Sequence, residues 1–108
     1  MKSFFGGVFI SKEILKNAGI NYPIKLEYYK KINEDDFFEI NKAKYGISIV
    51  KTEYENEKTK VEEKEIKYLT NDEKKAEYVL DILKENYVTP IALKDVLYDF
   101  LQKGLQII

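Results

Sequence analysis

The chain has 108 residues, enough for one domain but not for two independent cores. Its 18 basic and 19 acidic residues leave a net charge of −1, which gives no steering toward DNA, RNA or an anionic membrane. There is no Cys, His, Trp or Arg, and every basic residue is Lys. Cysteine nucleophiles, histidine acid–base catalysis, Cys- or His-based metal sites and arginine forks for phosphate are therefore excluded.

An apolar, glycine-containing arm is predicted over residues 1–22. Ser11 suits an N-cap and Gly19 suits the stop of a short helix between them, after which Pro23 favours extended backbone. The apolar run at the start is short and broken by two glycines, so we predict no signal peptide. No stretch approaches the run of about 20 apolar residues that spans a bilayer. We expect a cytoplasmic protein without membrane association.

Residues 24–69 are predicted to form an antiparallel sheet, because apolar and charged residues alternate with the period of half-buried strands. Turn-forming residues cluster at 33–36 and 56–57. The predicted order is a strand from Ile24, a turn at 33–36, a second strand including Phe37, Phe38 and Ile40 with a break over 41–44, a strand from Tyr45, a turn at Asn56-Glu57 and a strand over 59–69.

The register of the last hairpin follows from its turn, because a slip by one residue would move Ile66 to the face opposite Ile47. With Asn56 and Glu57 as the turn, apolar residues face apolar residues and opposite charges face each other. The predicted pairs are Glu55 with Lys58, Lys51 with Glu62, Ile47 with Ile66, and Tyr45 with Tyr68.

Residues 70–104 are predicted to form a helix pair. Thr70 and Glu73 fit a capping box at the start of the first helix, and Thr89-Pro90 suits the start of the second. Helical spacing predicts two apolar stripes: Ala76, Val79, Leu80, Leu83 and Tyr87 in the first helix, and Leu93, Val96, Leu97, Phe100 and Leu101 in the second. The predicted class is α+β, with a three- to four-stranded antiparallel sheet, a C-terminal two-helix hairpin packed on one face, and the N-terminal arm, in a single domain over 1–108.

Three segments together resemble a family of small uncharacterised proteins from low-GC, spore-forming Firmicutes. They are LEYY at 26–29, YGISI at 45–49 and VTPIALKDVL at 88–97, and the resemblance covers about residues 24–103. The family is a domain of unknown function. The resemblance implies a bacterial cytoplasmic protein and a fold type, and it brings no catalytic or binding residue to this chain.

The sequence favours neither a catalytic site nor a metal site, and we predict no cofactor. Glu34, Asp35 and Asp36 could supply oxygen ligands to Ca²⁺ or Mg²⁺, but the spacing of an EF-hand is missing and a solvated turn explains them better. Glu53, Glu55 and Glu57 recur every second residue, which is typical of a hairpin end in water. The serines have no His to activate them. We therefore predict that the protein is not an enzyme.

Aromatic and apolar residues mark the candidate binding surfaces, since nine Tyr and six Phe are many for this length. Adjacent aromatic residues in a strand point to opposite faces, so Tyr29 and Phe38 could be outward anchors for a protein partner, or could pack beneath the arm. Both termini are too apolar to stay free in water. The candidate partner-binding residues are Tyr29, Phe38, Phe5, Phe9, Leu105, Ile107 and Ile108.

These observations favour a non-enzymatic protein-binding module, such as a regulatory, adaptor or inhibitor protein. A homo-oligomeric structural protein, assembled through the N-terminal arm or the C-terminal tail, is the alternative. A carboxylate-based, metal-dependent enzyme fits less well. Nucleic-acid binding ranks last, because acidic residues accompany the aromatic ones where a basic groove would be needed.

Overall fold

The structure, a computed structural model, describes residues 1–34 and 43–102, with their side chains up to residue 100. Its elements in chain order are β1 (Lys2–Ile10), α1 (Lys12–Leu15), a 3₁₀ turn (Lys16–Ala18), β2 (Ile24–Ile32), β3 (Tyr45–Glu55), β4 (Lys58–Thr70), α2 (Glu73–Glu85), a second 3₁₀ turn (Pro90–Ala92) and α3 (Leu93–Gln102). The predicted α+β class and antiparallel sheet are confirmed. The predicted N-terminal arm is different, because Lys2–Ile10 within it is the strand β1.

The four strands form one antiparallel meander in the order β1-β2-β3-β4, so each strand pairs with its neighbour in the chain. Alternate side chains of a strand project to opposite faces. Leu26 and Tyr28 of β2 therefore share a face with Ile47 and Ile49 of β3, and all four are fully buried. We call this the covered face, because the helices pack on it.

The covered face and the helices bury their apolar side chains in one cluster. Val79, Leu80 and Leu83 of α2 and Leu93 and Leu97 of α3 belong to the same cluster as the buried residues of β2 and β3. This packing agrees with the apolar stripes predicted from helical spacing except at Tyr87, which is 58% exposed. The predicted stripe residue Leu101 lies outside the side chains that the structure describes. Within residues 1–34 and 43–102, no helix has the length and apolar content to cross a bilayer.

A buried hydrogen bond ties the sheet to the segment between α2 and α3. The Tyr28 hydroxyl donates to the carbonyl of Val88 at 2.9 Å. Burial raises the pKa of Tyr28 well above its usual range, so the hydroxyl keeps its proton and remains a donor. The polar tip of this large core residue is thereby satisfied, as the low-polarity interior requires.

The start of α2 is capped by Asp72 and not by the predicted box of Thr70 and Glu73. The Asp72 carboxylate accepts from the Lys74 N–H at 3.0 Å, and the Thr70 hydroxyl accepts from the Asp72 N–H at 3.1 Å. Glu73 instead accepts from Lys30 of β2 at 2.7 Å, and Glu77 accepts from the same ammonium at 2.9 Å. The prediction was wrong because Lys30 draws Glu73 away from the helix end.

The predicted hairpin register is confirmed over most of its length and wrong at one end. Ile47 pairs with Ile66, Lys51 with Glu62 and Glu55 with Lys58, as predicted, whereas Tyr45 pairs with Thr70 and not with Tyr68. The shift occurs at Gly46, where β4 has two more residues than β3 between paired positions. A Cβ on Gly46 would lie 2.2 Å from the Lys67 carbonyl oxygen, so only glycine fits beneath the irregular stretch.

Several predictions fall on residues outside those that the structure describes. They include the strand residues Phe37, Phe38 and Ile40, the acidic pair Asp35 and Asp36, the helix stop at Gly104, and the tail residues Leu105, Ile107 and Ile108.

Candidate functional site

The second face of the sheet, which we call the open face, is the candidate site. Lys25, Glu27, Tyr29 and Lys31 of β2 project from it, because they alternate with the buried residues of the covered face. In the described part of the chain, the helices place their packed residues against the core cluster on the opposite side. The open face is therefore left to side chains of the strands themselves.

Three aromatic side chains lie along the paired strands β1 and β2 on this face, and two of them, Phe4 and Tyr29, are in contact. Phe4 of β1 pairs with Tyr29, and Phe9 of β1 pairs with Lys25, so both Phe residues project from the open face. Phe4 and Phe9 are 59% and 63% exposed, which is unusual for such large apolar side chains in an ordered strand. We call Phe4, Phe9 and Tyr29 the aromatic shelf.

The geometry of the aromatic shelf is set by ring stacking and by Gly7. The rings of Phe4 and Tyr29 meet edge to face, with centroids 5.6 Å apart and planes at 73°. The Phe4 ring leans over Gly7, with its tip 3.5 Å from where a Gly7 Cβ would lie. The Lys2 ammonium lies 4.3 Å from the Tyr29 ring centroid, within the range of a cation–π contact. The shelf is thus held in place before any partner arrives.

Ion pairs surround the shelf and neutralise the charges of the open face. Lys2 reaches Glu63 of β4 at 2.9 Å, and Lys31 contacts Glu65 of the same strand. The bond from Lys2 holds the pKa of Glu63 below its usual range. Fully buried Ser48 lies between these strands on β3, and its small side chain leaves room for the pairs to cross the face.

Polar contacts also tie Tyr29 to its own strand. The Tyr29 hydroxyl donates to Glu27 at 2.9 Å, and Lys25 lies 3.6 Å from the other oxygen of that carboxylate. Burial, together with the Glu27 carboxylate, raises the pKa of Tyr29, so it stays a neutral hydroxyl at neutral pH. A partner would therefore meet an apolar ring with a fixed polar tip, the combination that makes Tyr common in protein interfaces.

The two edges of the sheet differ in charge. In β4, seven of the 13 residues are Lys or Glu, a pattern that protects an exposed edge from pairing with another strand. In β1, no charged residue follows Lys2 up to Ile10. A register irregularity between Phe4 and Gly6 interrupts this edge, but the pairing is regular from Gly6 to Ile10. The aromatic shelf therefore adjoins an edge without charged protection.

The structure places two of the candidate residues named from the sequence, Tyr29 and Phe9, on the same face of the sheet. Phe5 lies on the covered face, half-buried against the core, because the irregularity between Phe4 and Gly6 exchanges the faces of the residues before it. Phe4 is the residue that sequence reasoning did not select. Alternation counted back from Phe9 points to Phe5, and only the pairing with β2 shows the shift.

Many of the carboxylates on the strands and on α2 pair with lysines or tyrosines. Among residues 1–34 and 43–102, no three acidic residues come close enough to hold a metal ion. Glu53 is the most buried carboxylate, and it accepts from the Tyr22 hydroxyl at 2.6 Å and pairs with Lys51 at 3.3 Å. The bond from Tyr22 lowers the pKa of Glu53, while the same contact raises the pKa of Tyr22 to about 12. This cluster joins the segment before β2 to β3.

The described residues define a class of small α+β proteins in which helices cover one face of an antiparallel meander and strand side chains form the other face. The chain belongs to DUF6514, a family of unknown function whose model matches residues 8–103. The match begins inside β1, so the family includes part of the region that the sequence resemblance left out. Neither the curated proteins nor the solved structures give a significant match.

Proposed function

We propose that this protein is a non-enzymatic binding module that docks on another protein through its aromatic shelf. The observation that carries the proposal is the exposure of Phe4 and Phe9, at 59% and 63%, on the open face, with Phe4 next to Tyr29. Phe and Tyr side chains of this kind are typical anchors of protein interfaces, where they leave water and fill pockets of the partner.

The charges of the open face favour a protein partner over a nucleic acid. Single strands stack on aromatic rings within a basic groove that follows the phosphates. Here Lys2 is paired with Glu63, Lys31 with Glu65, and Lys25 with Glu27, whose carboxylates would repel phosphate. A protein surface with an apolar centre and a mixed polar rim suits this arrangement better. We place the encounter in the cytoplasm, since a chain without Cys depends on no oxidising compartment.

The test compares partner capture by the unchanged chain and by a variant of the shelf. Purified protein is immobilised, exposed to a lysate of the cells that produce it, and the bound proteins are identified by mass spectrometry. We expect one dominant partner with the unchanged chain and its loss with Phe4→Ser/Phe9→Ser. The matched control is Tyr78→Ser/Ile91→Ser, which removes two apolar side chains, 55% and 84% exposed, from the helical side. Equal capture by both variants would contradict the proposal.

Homo-oligomerisation is the second candidate, and the uncharged edge of β1 favours it. Light scattering on the same samples separates the two functions. A dimer that becomes a monomer in Phe4→Ser/Phe9→Ser, with no captured partner, would assign the shelf to self-association. A monomer in both proteins, with partner capture only by the unchanged chain, supports the binding module.

A further inference from the structure

We propose that the outer edge of β1 accepts an extended, acidic segment of the partner as a fifth strand, with a carboxylate of that segment paired to Lys84. This inference rests on the proposed function, because it specifies how the partner meets the region next to the aromatic shelf. It names the chemistry of the partner segment: β-forming, uninterrupted by proline, and negatively charged.

The outer edge of β1 has the free backbone that an added strand needs. Within residues 1–34 and 43–102, β1 is hydrogen-bonded to β2 alone, so no described strand pairs with its outer backbone groups. From Gly6 to Ile10 the strand is regular and uncharged, whereas the opposite edge strand, β4, is dense in Lys and Glu. Backbone groups of a free edge supply affinity for an added strand, and side-chain pockets supply its specificity.

Lys84 lies close to this edge. This residue of α2 lies across Gly6, with its Cδ 2.9 Å and its Nζ 3.5 Å from where a Gly6 Cβ would be. The absence of a side chain at Gly6 lets the lysine stem rest on the backbone of the edge strand. Lys84 is half-buried, and its ammonium lies close to Gly6 of the edge strand.

The positive charge of Lys84 favours a negatively charged partner segment. Among residues 1–34 and 43–102, no carboxylate lies within ion-pair distance of Lys84, so no described carboxylate neutralises its charge. Beyond the end of β1, Lys12 and Lys16 are exposed and accompanied only by Glu13 in the short helical segment. Lys84 near Gly6 and the lysines that follow β1 in the chain favour an acidic segment over a basic one.

The aromatic shelf gives the added segment its second contact. Phe4 and Phe9 belong to β1 itself and project from the open face, so a strand beside β1 would place alternate side chains next to their rings. The remaining side chains of the segment would project toward the covered face, where Lys84 lies. A segment that alternates apolar residues with Glu would therefore place its apolar residues against the shelf and its carboxylates toward Lys84.

The probes are two fluorescein-labelled eight-residue peptides in which valine alternates with threonine and glutamate, or with threonine and lysine. Binding is measured by fluorescence polarisation, and the site by hydrogen exchange of backbone amides. We expect the acidic peptide to bind and to slow exchange within 2–10. We expect the lysine peptide to bind more weakly by about fivefold or more, because it lacks one partly exposed ion pair.

Charge reversal tests the role of Lys84 directly. Lys84→Glu is expected to weaken binding of the acidic peptide by about fivefold or more and to strengthen binding of the lysine peptide. Lys84→Gln removes the charge and is expected to weaken only the acidic peptide. Lys75→Glu, on an exposed position of the same helix, is the matched control and should change neither affinity.

Equal affinity for the two peptides, no binding at millimolar concentration, or slowed exchange within 58–70 would overturn the inference. These results are independent of partner capture. Loss of capture in Phe4→Ser/Phe9→Ser without peptide binding at β1 would leave the proposed function standing and remove the strand addition. Peptide binding at β1 with unchanged capture would remove the shelf as the docking surface.

Discussion

At the scale of single residues, two glycines make the fold and the site possible through the atoms they lack. Gly46 lets the irregular stretch of β4 approach the backbone of β3, because the Lys67 carbonyl occupies the place of a side chain. Gly6 plays the same part for Lys84 at the edge of β1. Both glycines matter because of contacts between elements that are distant in the chain. The sequence around each glycine does not indicate these contacts.

A substitution at Gly46 is therefore expected to be severe. Gly46→Ala would place a Cβ 2.2 Å from a backbone oxygen, and the strands would have to separate, at a cost of about 3 kcal/mol or more in the free energy of unfolding. Gly19→Ala is the control, since Gly19 has a φ of +78° but nothing within 4 Å, and only the backbone strain of about 1 kcal/mol applies. Denaturant unfolding measures both. Equal losses would contradict this account of Gly46.

At the scale of elements, the start of α2 shows how a tertiary contact replaces a local motif. Thr70 and Glu73 have the spacing of a capping box, yet Glu73 pairs with Lys30, and Asp72 caps the helix. Lys30 has a side chain only 13% exposed, and its two carboxylates hold α2 onto β2. The carboxylates raise the pKa of Lys30, so the ammonium stays charged.

The two descriptions of this helix end predict different mutational costs. Asp72→Ala should lower the free energy of unfolding by about 1 kcal/mol, because the Lys74 N–H loses its acceptor. Glu73→Gln should cost less than about 0.5 kcal/mol, since Glu73 is half-exposed and Glu77 still pairs with Lys30. Asp81→Ala, at an exposed site in the same helix, is the control. A larger loss for Glu73→Gln than for Asp72→Ala would contradict this account of the helix end.

The candidate site was accessible to sequence reasoning only in part. Tyr29 and Phe9 were found because alternation and apolar composition are local signals, and the structure places both on the open face. Phe4 was missed because the irregularity before Gly6 reverses the faces of the preceding residues. A bulge depends on how two strands match in length and twist, so the sequence of one strand does not specify it.

At the scale of the whole molecule, the apolar N-terminal segment is part of the sheet as strand β1. It pairs with β2 from Lys2 to Ile10, and Phe5, Val8 and Ile10 pack against the core. Without it, β2 would become an edge strand beside a partly uncovered core. The N-terminal region therefore contributes to stability as well as to the proposed docking surface.

Deletion of residues 1–10 is expected to destabilise the fold and not to yield a clean monomer. The loss of three partly buried apolar side chains alone should cost about 3 kcal/mol or more. Circular dichroism during heating should show a lower midpoint, and light scattering should show association through the newly exposed edge of β2. A deletion variant that stays monomeric with an unchanged midpoint would show that β1 is a dispensable arm.

The sequence by itself determined that the chain has no Cys, His or Arg side chain to use. It also determined the alternation of the strands, most of the apolar faces of the two long helices and most of the β3–β4 register. These properties depend on residue types and on neighbours close in the chain, such as Ile47 opposite Ile66 across a tight turn. Only the tertiary structure decided that β1 joins the sheet, that Phe4 faces outward and Phe5 inward, and that Lys84 reaches the edge at Gly6. These features depend on pairing and packing between distant segments, and such contacts are selected by the energy of the assembled fold and not by local preference.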